Sequence, residues 1–473
     1  MLTFLAAIVA LFLGYFIYGT IVSRIFGADD SRPTPVTTMA DGVDFVEMPS
    51  WKIFLIQLLN IAGVGPIFGP ILGALYGPVA LLWIVIGTIF AGGVHDYFSG
   101  MLSVRYQGES IPEVVGHQLG GGVKLFMRGF SVILLLLVGI VFVSSPAQLL
   151  TNILDLPLSV LVAIIFTYYF LATMLPIDKI IGRIYPFFAG ALIFMAVGMI
   201  IMLAVTGHEF FPQHTLANIH PQKLPLWPLM FITIACGAIS GFHATQSPMM
   251  ARCLPHERLG KPIFYGAMVI EGVIALIWAT LASSFYGSPG ELNQVLSQGG
   301  PALVVNQISN SLMGHAGGVL AIIGVVILPI SSGDTAFRSA RLIIADFMKF
   351  SQKDIGRRLA VAVPLFIIGF IVSKTDFGIL WRYFGWANQT LATIVLWSAA
   401  AYLKRRGGWH HWLATLPALF MTVVVTTFLG YAKIGFTMPM PVATTVGIAV
   451  AAVFLLLFFL KIKPADNHDK TTE

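Results

Sequence analysis

Long apolar stretches separated by short polar ones limit the folds open to this chain more than any motif does. A helix needs about 20 mostly apolar residues to cross a bilayer, and lipid cannot satisfy free backbone groups. Thirteen stretches meet that length, at about 2–26, 52–74, 77–101, 127–150, 157–175, 185–206, 226–250, 263–286, 315–339, 358–373, 378–403, 410–431 and 439–461. With 57% hydrophobic and only 10% charged residues, the chain reads as an all-α polytopic membrane protein. The first stretch, with no basic residue ahead of it and longer than a signal-peptide core, reads as a retained spanning helix.

The Lys and Arg residues test this division, because alternate loops must lie on opposite sides and cytoplasmic loops are rich in them. Of the 27, 23 fall on one side, leaving Lys223, Lys374, Arg382 and Lys433 on the other. The chain is therefore expected in the cytoplasmic membrane of a prokaryote with its N-terminus outside and its C-terminus inside. The net charge of +6 reports this topology; nucleic-acid binding needs a solvated basic face that the chain lacks. Cys236 and Cys253 suggest neither a disulfide framework nor a metal motif, and the histidines lack metal-ligand spacing. With no P-loop, HExxH or GxSxG present either, no enzyme, cofactor or metal is expected.

One transmembrane domain accounts for the whole chain. Polar connections at 27–51, 207–225 and 287–314 are its longest, the last expected to form a short helix on the outer face, and the tail from Pro464 to Glu473 is expected to be polar and mobile.

Two spans carry helix breakers at mid-length. GVGPIFGP, from Gly63 to Pro70 and including Gly65, Pro66 and Gly69, interrupts the second. CGAISGFHATQSP, with Gly237, Gly241 and Pro248, interrupts the seventh. Glycine and proline there expose backbone groups at mid-bilayer depth, which must line a cavity or contact protein, and half-helix N-termini offer positive dipole ends to an anion. Five spans separate the breaks, so the broken helices run in opposite directions, as in two inverted five-helix repeats. The repeats would be 52–206 and 226–403, preceded by an extra helix and loop (1–51) and followed by two helices (410–463).

Ionisable groups in spans each need a reason, since burial costs roughly 2.5–3.5 kcal/mol. Glu271 has no basic neighbour on its own helix and requires a protonated carboxyl or a partner from another helix, which makes it the first choice for a proton site. Asp334 either pairs with Arg338 or carries coupling, and beside it Ser331, Ser332 and Thr335 either coordinate a cation or bond back to their helix. His243 either donates to an anionic substrate or satisfies a carbonyl at the break. His95 and Asp96 are read as interfacial, near the headgroups, with a gate as the alternative. Asn388 and Gln389 are inter-helix glue or cavity lining, glue being preferred.

Together GVGPIFGPILGALYGP, GGVHDYFSGMLSVRYQGESIPEVVG, CGAISGFHATQSP, ISSGDTAFRSAR and WRYFGWANQTLA resemble the carbon starvation protein A (CstA) family, over about residues 50–403. That resemblance implies a leucine-transporter-like fold and import of peptides, or of pyruvate with protons, when carbon is scarce. It further implies that Gly63, Val64, Gly65, Pro66, Ser240, Gly241 and His243 hold the substrate carboxylate, and that Asp334, Ser331, Ser332 and Thr335 lie where relatives bind a coupling cation. Many family members are longer at the C-terminus. The function expected is a symporter for pyruvate or a short peptide, coupled to H⁺ through Glu271 or Asp334, with Na⁺ coupling as the variant and a passive channel as the rival. Oligomeric state is left open.

Overall fold

The computed structural model describes residues 1–464 except 43, 152, 175–176, 213–214 and 351–353, with the backbone alone for 177–186 and 189. The chain beyond Pro464, expected to be a mobile tail, lies outside the described residues. Among those described, all regular structure is helical. Eight helices are long and apolar enough to span a bilayer, nine if the bent pair Ser50–Ile61 and Gly65–Tyr76 counts as one. Other expected segments also hold helices, including Leu158–Met174, Ile177–Val205, Phe377–Arg405 and the pair Leu229–Thr233 and Gly241–Ala251. Glu257–Phe285 is the most enclosed of the spanning helices, whereas Leu2–Phe26, Ile355–Val372 and Met440–Lys461 leave most of their residues at least partly exposed, as lipid-facing helices do. The outer segment expected at 287–314 belongs to the long helical run Pro289–Met348, set off from its membrane-crossing part by kinks at Gly299, Gly300 and Gly314.

Both glycine clusters interrupt their helices. The first helix ends at Ile61 and restarts at Gly65 with Pro66 in its first turn, where a missing amide costs nothing. Its two pieces meet at 48°. In the second, Ile234 to Ser240 is unwound, with Gly237 at φ +85°, a backbone state that glycine adopts without strain. Protein groups satisfy the freed carbonyls. Trp83 Nε1 donates to Ile234 O at 3.0 Å and Thr88 Oγ1 to Gly237 O at 2.7 Å.

Packing around the breaks is reciprocal. Gly65–Gly73 of the first broken helix lies against Gly266–Phe285, the helix after the second; Gly241–Ala251 of the second lies against Gly93–Arg105, after the first. Ile177–Val205 packs on Pro289–Met348, Phe377–Arg405 packs on Gly121–Thr151, and those two long helices pack on each other. Each half-helix thus leans on the helix that follows the other break.

Small residues let the segments approach closely. A Cβ on Gly65 would lie 2.3 Å from Cys236 Cβ and Sγ, and one on Gly92 would lie 2.3 Å from Ala238 O. The contact of Gly65 with Cys236 brings the two breaks together.

On the face rich in basic residues, Arg105 and Glu257 form a latch, Nε to Oε1 at 2.5 Å and Nη2 to Oε2 at 2.9 Å. The loop after the first helix seals it. Asp29 N donates to Glu257 Oε2 at 2.8 Å, and Arg105 Nη2 to Gly27 O at 3.0 Å. Cys253 lies buried in the adjoining loop, where burial pushes its thiol up to about 11. Removing one partner of an enclosed ion pair leaves the other charge uncompensated. Glu257→Gln is accordingly expected to raise the rate of Cys253 alkylation by N-ethylmaleimide about tenfold or more, read by peptide mass spectrometry. An unchanged rate would show that the pair does not hold this face shut.

Candidate functional site

Three separate segments deliver a line of ionisable side chains to the second break. His95 and Asp96 come from the helix Val79–Arg105, after a π-helical turn at Gly87–Gly92 that shifts the register of the residues beyond it. Tyr265 OH supports that turn by donating to Ile89 O at 2.7 Å. His243 comes from the third position of the half-helix Gly241–Ala251, and Glu271 from Gly266–Phe285.

Asp96 joins two imidazoles: its Oδ1 lies 2.7 Å from His95 Nδ1 and its Oδ2 lies 2.8 Å from His243 Nδ1. On the far side of the ring, His243 Nε2 approaches Glu271 Oε2 to 3.2 Å, though without hydrogen-bond alignment. All four side chains are sealed from solvent. Neither Glu271 oxygen has a hydrogen-bond partner among the described residues. Neutral imidazole carries one N–H, so a His243 that donates to Asp96 can only accept at Nε2, and a carboxylate beside that nitrogen is favourable when either Glu271 or the ring holds a further proton. The geometry thus offers two protonation states within one chain, Glu271–COOH beside neutral His243 or an imidazolium between two carboxylates.

Asn388 fixes the start of the half-helix. Its Oδ1 accepts from Phe242 N at 2.7 Å and from Ser240 Oγ at 3.2 Å, occupying the donor end where an anion would otherwise bind. Gln389 Nε2 donates to Phe231 O at 3.2 Å. Both side chains thus tie Phe377–Arg405 to the second broken helix. Beneath the ring, Ser247 Oγ donates to His243 O at 3.0 Å and lies 3.3 Å from Ser99 Oγ.

A second buried group sits at the first break. Ser331 Oγ and Ser332 Oγ both donate to Leu59 O, at 3.1 and 2.9 Å, two residues before the helix ends. Ser331 also bonds back to Leu328 O, and Thr335 Oγ1 bonds to Ser332 O at 3.0 Å. Asp334, on the same helix, accepts from Tyr168 OH at Oδ2, 3.4 Å away. Arg338 Nη2 donates to Ala172 O at 2.6 Å.

The structure therefore brings His95, Asp96, His243 and Glu271 into one cluster, and places Ser331 and Ser332 at the first break, while Thr335 bonds back to its own helix and Asp334 meets Tyr168. Gly63, Val64, Gly65, Pro66 and Gly69 lie on the first broken helix, and Ser240 and Gly241 on the second, all buried. His95 and Asp96 lie inside the protein, Asp96 being bonded to a side chain of the second break. His243 does not serve a break carbonyl, because Trp83 and Thr88 do so and its ring nitrogens face Asp96 and Glu271. Sequence reasoning passes over Thr88, Trp83, Tyr168 and Cys236. Hydroxyls and indoles are common in spans, and only the fold shows that these reach an unwound backbone or a buried carboxylate.

The model of the family described as carbon starvation protein CstA matches residues 1–145, 129–295 and 290–428. An uncharacterised membrane protein of Haemophilus influenzae is 48% identical over 63% of this chain and 95% of its own. The peptide transporter CstA of Bacillus subtilis is 26% identical over 90% of this chain and 89% of its own. The pyruvate/proton symporter BtsT of Escherichia coli is 27% identical over 56% of this chain and 46% of its own. Among solved structures, a variant of a manganese transporter from Eremococcus coleocola superposes with a TM-score of 0.57 at 13% identity, covering 89% of this chain and 98% of the other. That likeness is one of fold, and it agrees with the leucine-transporter-like architecture expected.

Proposed function

The chain belongs to the carbon starvation protein CstA family and is a membrane transporter, and we propose that it imports a small carboxylate-bearing nutrient, pyruvate or a short peptide, by proton symport. Relatives in the family are named as transporters and not as enzymes. The observation that carries the proposal is the buried line His95, Asp96, His243 and Glu271, which reaches from one partner helix, across the second break, to the other.

In this reading the basic face is cytoplasmic and closed by the Arg105–Glu257 latch, and the two inverted repeats rock about the breaks. Reciprocal packing supports the division into 52–206 and 226–403. When the breaks part, the donor ends at Gly65 and Gly241 would receive the substrate carboxylate, which would take the place of Asn388 Oδ1 at Phe242 N. A proton entering Glu271 would remove one of two buried negative charges beside His243, so that the ring need hold only one. Substrate and proton then share the second broken helix, and coupling follows from their common dependence on its position.

Proteoliposome uptake of labelled pyruvate and of a labelled dipeptide, in one preparation with an imposed pH gradient, tests this reading. Accumulation of either under the pH gradient supports it; accumulation of neither overturns it. Glu271→Gln is expected to abolish accumulation while keeping exchange between internal and external substrate. If the variant still concentrates substrate in response to pH, the proton does not travel by this carboxyl. Sodium coupling is favoured by one specific observation, the convergence of Ser331 and Ser332 on Leu59 O at the first break. Imposing a sodium gradient alone separates the two ions.

A further inference from the structure

Cys236, His243 and Glu271 place a sulfur, a nitrogen and an oxygen donor within 4.8 Å of one another, all three residues being buried. We infer that these residues form a binding site for a borderline-soft divalent cation of the Zn²⁺ type, independent of which solute the protein carries. Tetrahedral ligands at bond lengths of about 2.0–2.3 Å lie roughly 3.3–3.8 Å apart, so the donors need only close by about 1 Å.

Three further features favour an ion. His243 Nε2 and both Glu271 oxygens are buried without a well-aligned hydrogen bond, so each keeps a lone pair for a metal. The other ring nitrogen of His243 is held by Asp96 Oδ2 at 2.8 Å. A metal-binding histidine commonly has such a carboxylate behind it, which fixes the tautomer and ring orientation and leaves the lone pair of Nε2 facing the metal. Lastly, the Cys236 thiol is held by long contacts, donating to Ser240 Oγ at 3.4 Å and accepting from Asn388 Nδ2 at 3.8 Å. Loss of its proton on metal binding would cost no strong hydrogen bond and would strengthen the Asn388 contact to sulfur. Motif spacing misses the site because its ligands come from an unwound segment, the half-helix after it and a neighbouring helix. Soft, nitrogenous and hard donors together suit Zn²⁺ or Co²⁺ better than Mg²⁺ or Ca²⁺, which prefer all-oxygen cages. An ion here would tie the second break to Gly266–Phe285.

The test uses the full-length protein purified in detergent and stripped with chelator. Equilibrium dialysis against Zn²⁺ is expected to give one chelator-removable ion per chain, and Co²⁺ in its place to give a thiolate-to-metal charge-transfer band in the near ultraviolet. Cys236→Ser should abolish the band and weaken Zn²⁺ binding at least tenfold, Glu271→Gln should weaken it similarly, and Asp96→Asn, which spares the ligands, should weaken it about 10–100-fold. Thermal melts and size-exclusion profiles verify that each variant is folded. The inference is overturned if no ion is retained above a detergent blank, if the cobalt form lacks the band, or if Cys236→Ser and Glu271→Gln bind as tightly as the native chain. None of these outcomes depends on uptake, so a failed transport assay leaves the result readable.

Discussion

His243→Gln is expected to lower pH-driven uptake by roughly two orders of magnitude or more, the scale on which a positioned proton-transfer group acts. Glutamine has similar reach but neither takes up nor releases a proton near neutrality, so it can sit between Asp96 and Glu271 without linking their protonation. Among the described residues His243 joins those carboxylates: Asp96 meets His95 on one oxygen and His243 on the other, and the far nitrogen of the same ring lies 3.2 Å from Glu271 Oε2. Alanine would be the poorer test, because it leaves a void and two enclosed acidic groups without their shared partner, a change that costs on the order of 3–5 kcal/mol where a buried pair is broken. The measurement is initial uptake into proteoliposomes under an imposed pH gradient, with melting temperature as the control for folding. Concentrative uptake retained by a folded His243→Gln protein would remove this ring from the coupling path.

At Gly241 the expected effect is on folding. An added methyl there would lie 2.3 Å from Asn388 O and 2.6 Å from Ala392 N, both backbone atoms that cannot rotate aside. Gly241→Ala should therefore destabilise by about 1–3 kcal/mol or more, the usual range for overpacking, and lower the melting temperature. The same change at Gly65 meets the side chain of Cys236 and should cost less, since part of that clash can be relieved by rotation. Gly129, helical and with open space around its missing methyl, supplies the control. Alanine there should be neutral or slightly stabilising, because it improves helix propensity. Equal melting temperatures for Gly241→Ala and Gly129→Ala would mean that the close approach at Gly241 is not maintained in the membrane.

Both breaks are legible in the sequence, because Gly and Pro act locally: a missing amide or side chain alters the helix at its own position, whatever lies around it. Glu271 is legible for a related reason, since a carboxyl with no cation on its own helix must find a partner elsewhere. Asp96 is not. Its enclosure depends on a π-helical turn that sets the register of its side chain and on the helices packed around it, and neither can be read from residue order. Cys236 escapes notice because its neighbours His243 and Glu271 meet it only once the second helix has unwound. For Asp334 the alternatives of pairing and coupling can be stated from the sequence, while the contact of Tyr168 from another helix cannot.

The exchange of neighbours around the breaks also bears on how the protein is made. A ribosome delivers residues 52–206 first, yet the surface on which Gly65–Gly73 leans is Gly266–Phe285, still unsynthesised. Until that helix is inserted, the kinked segment has unwound backbone in lipid and nothing to cover it, so the early half should be held by insertion machinery and be open to proteolysis. Maturation would then be a single late event, in which each half completes the other.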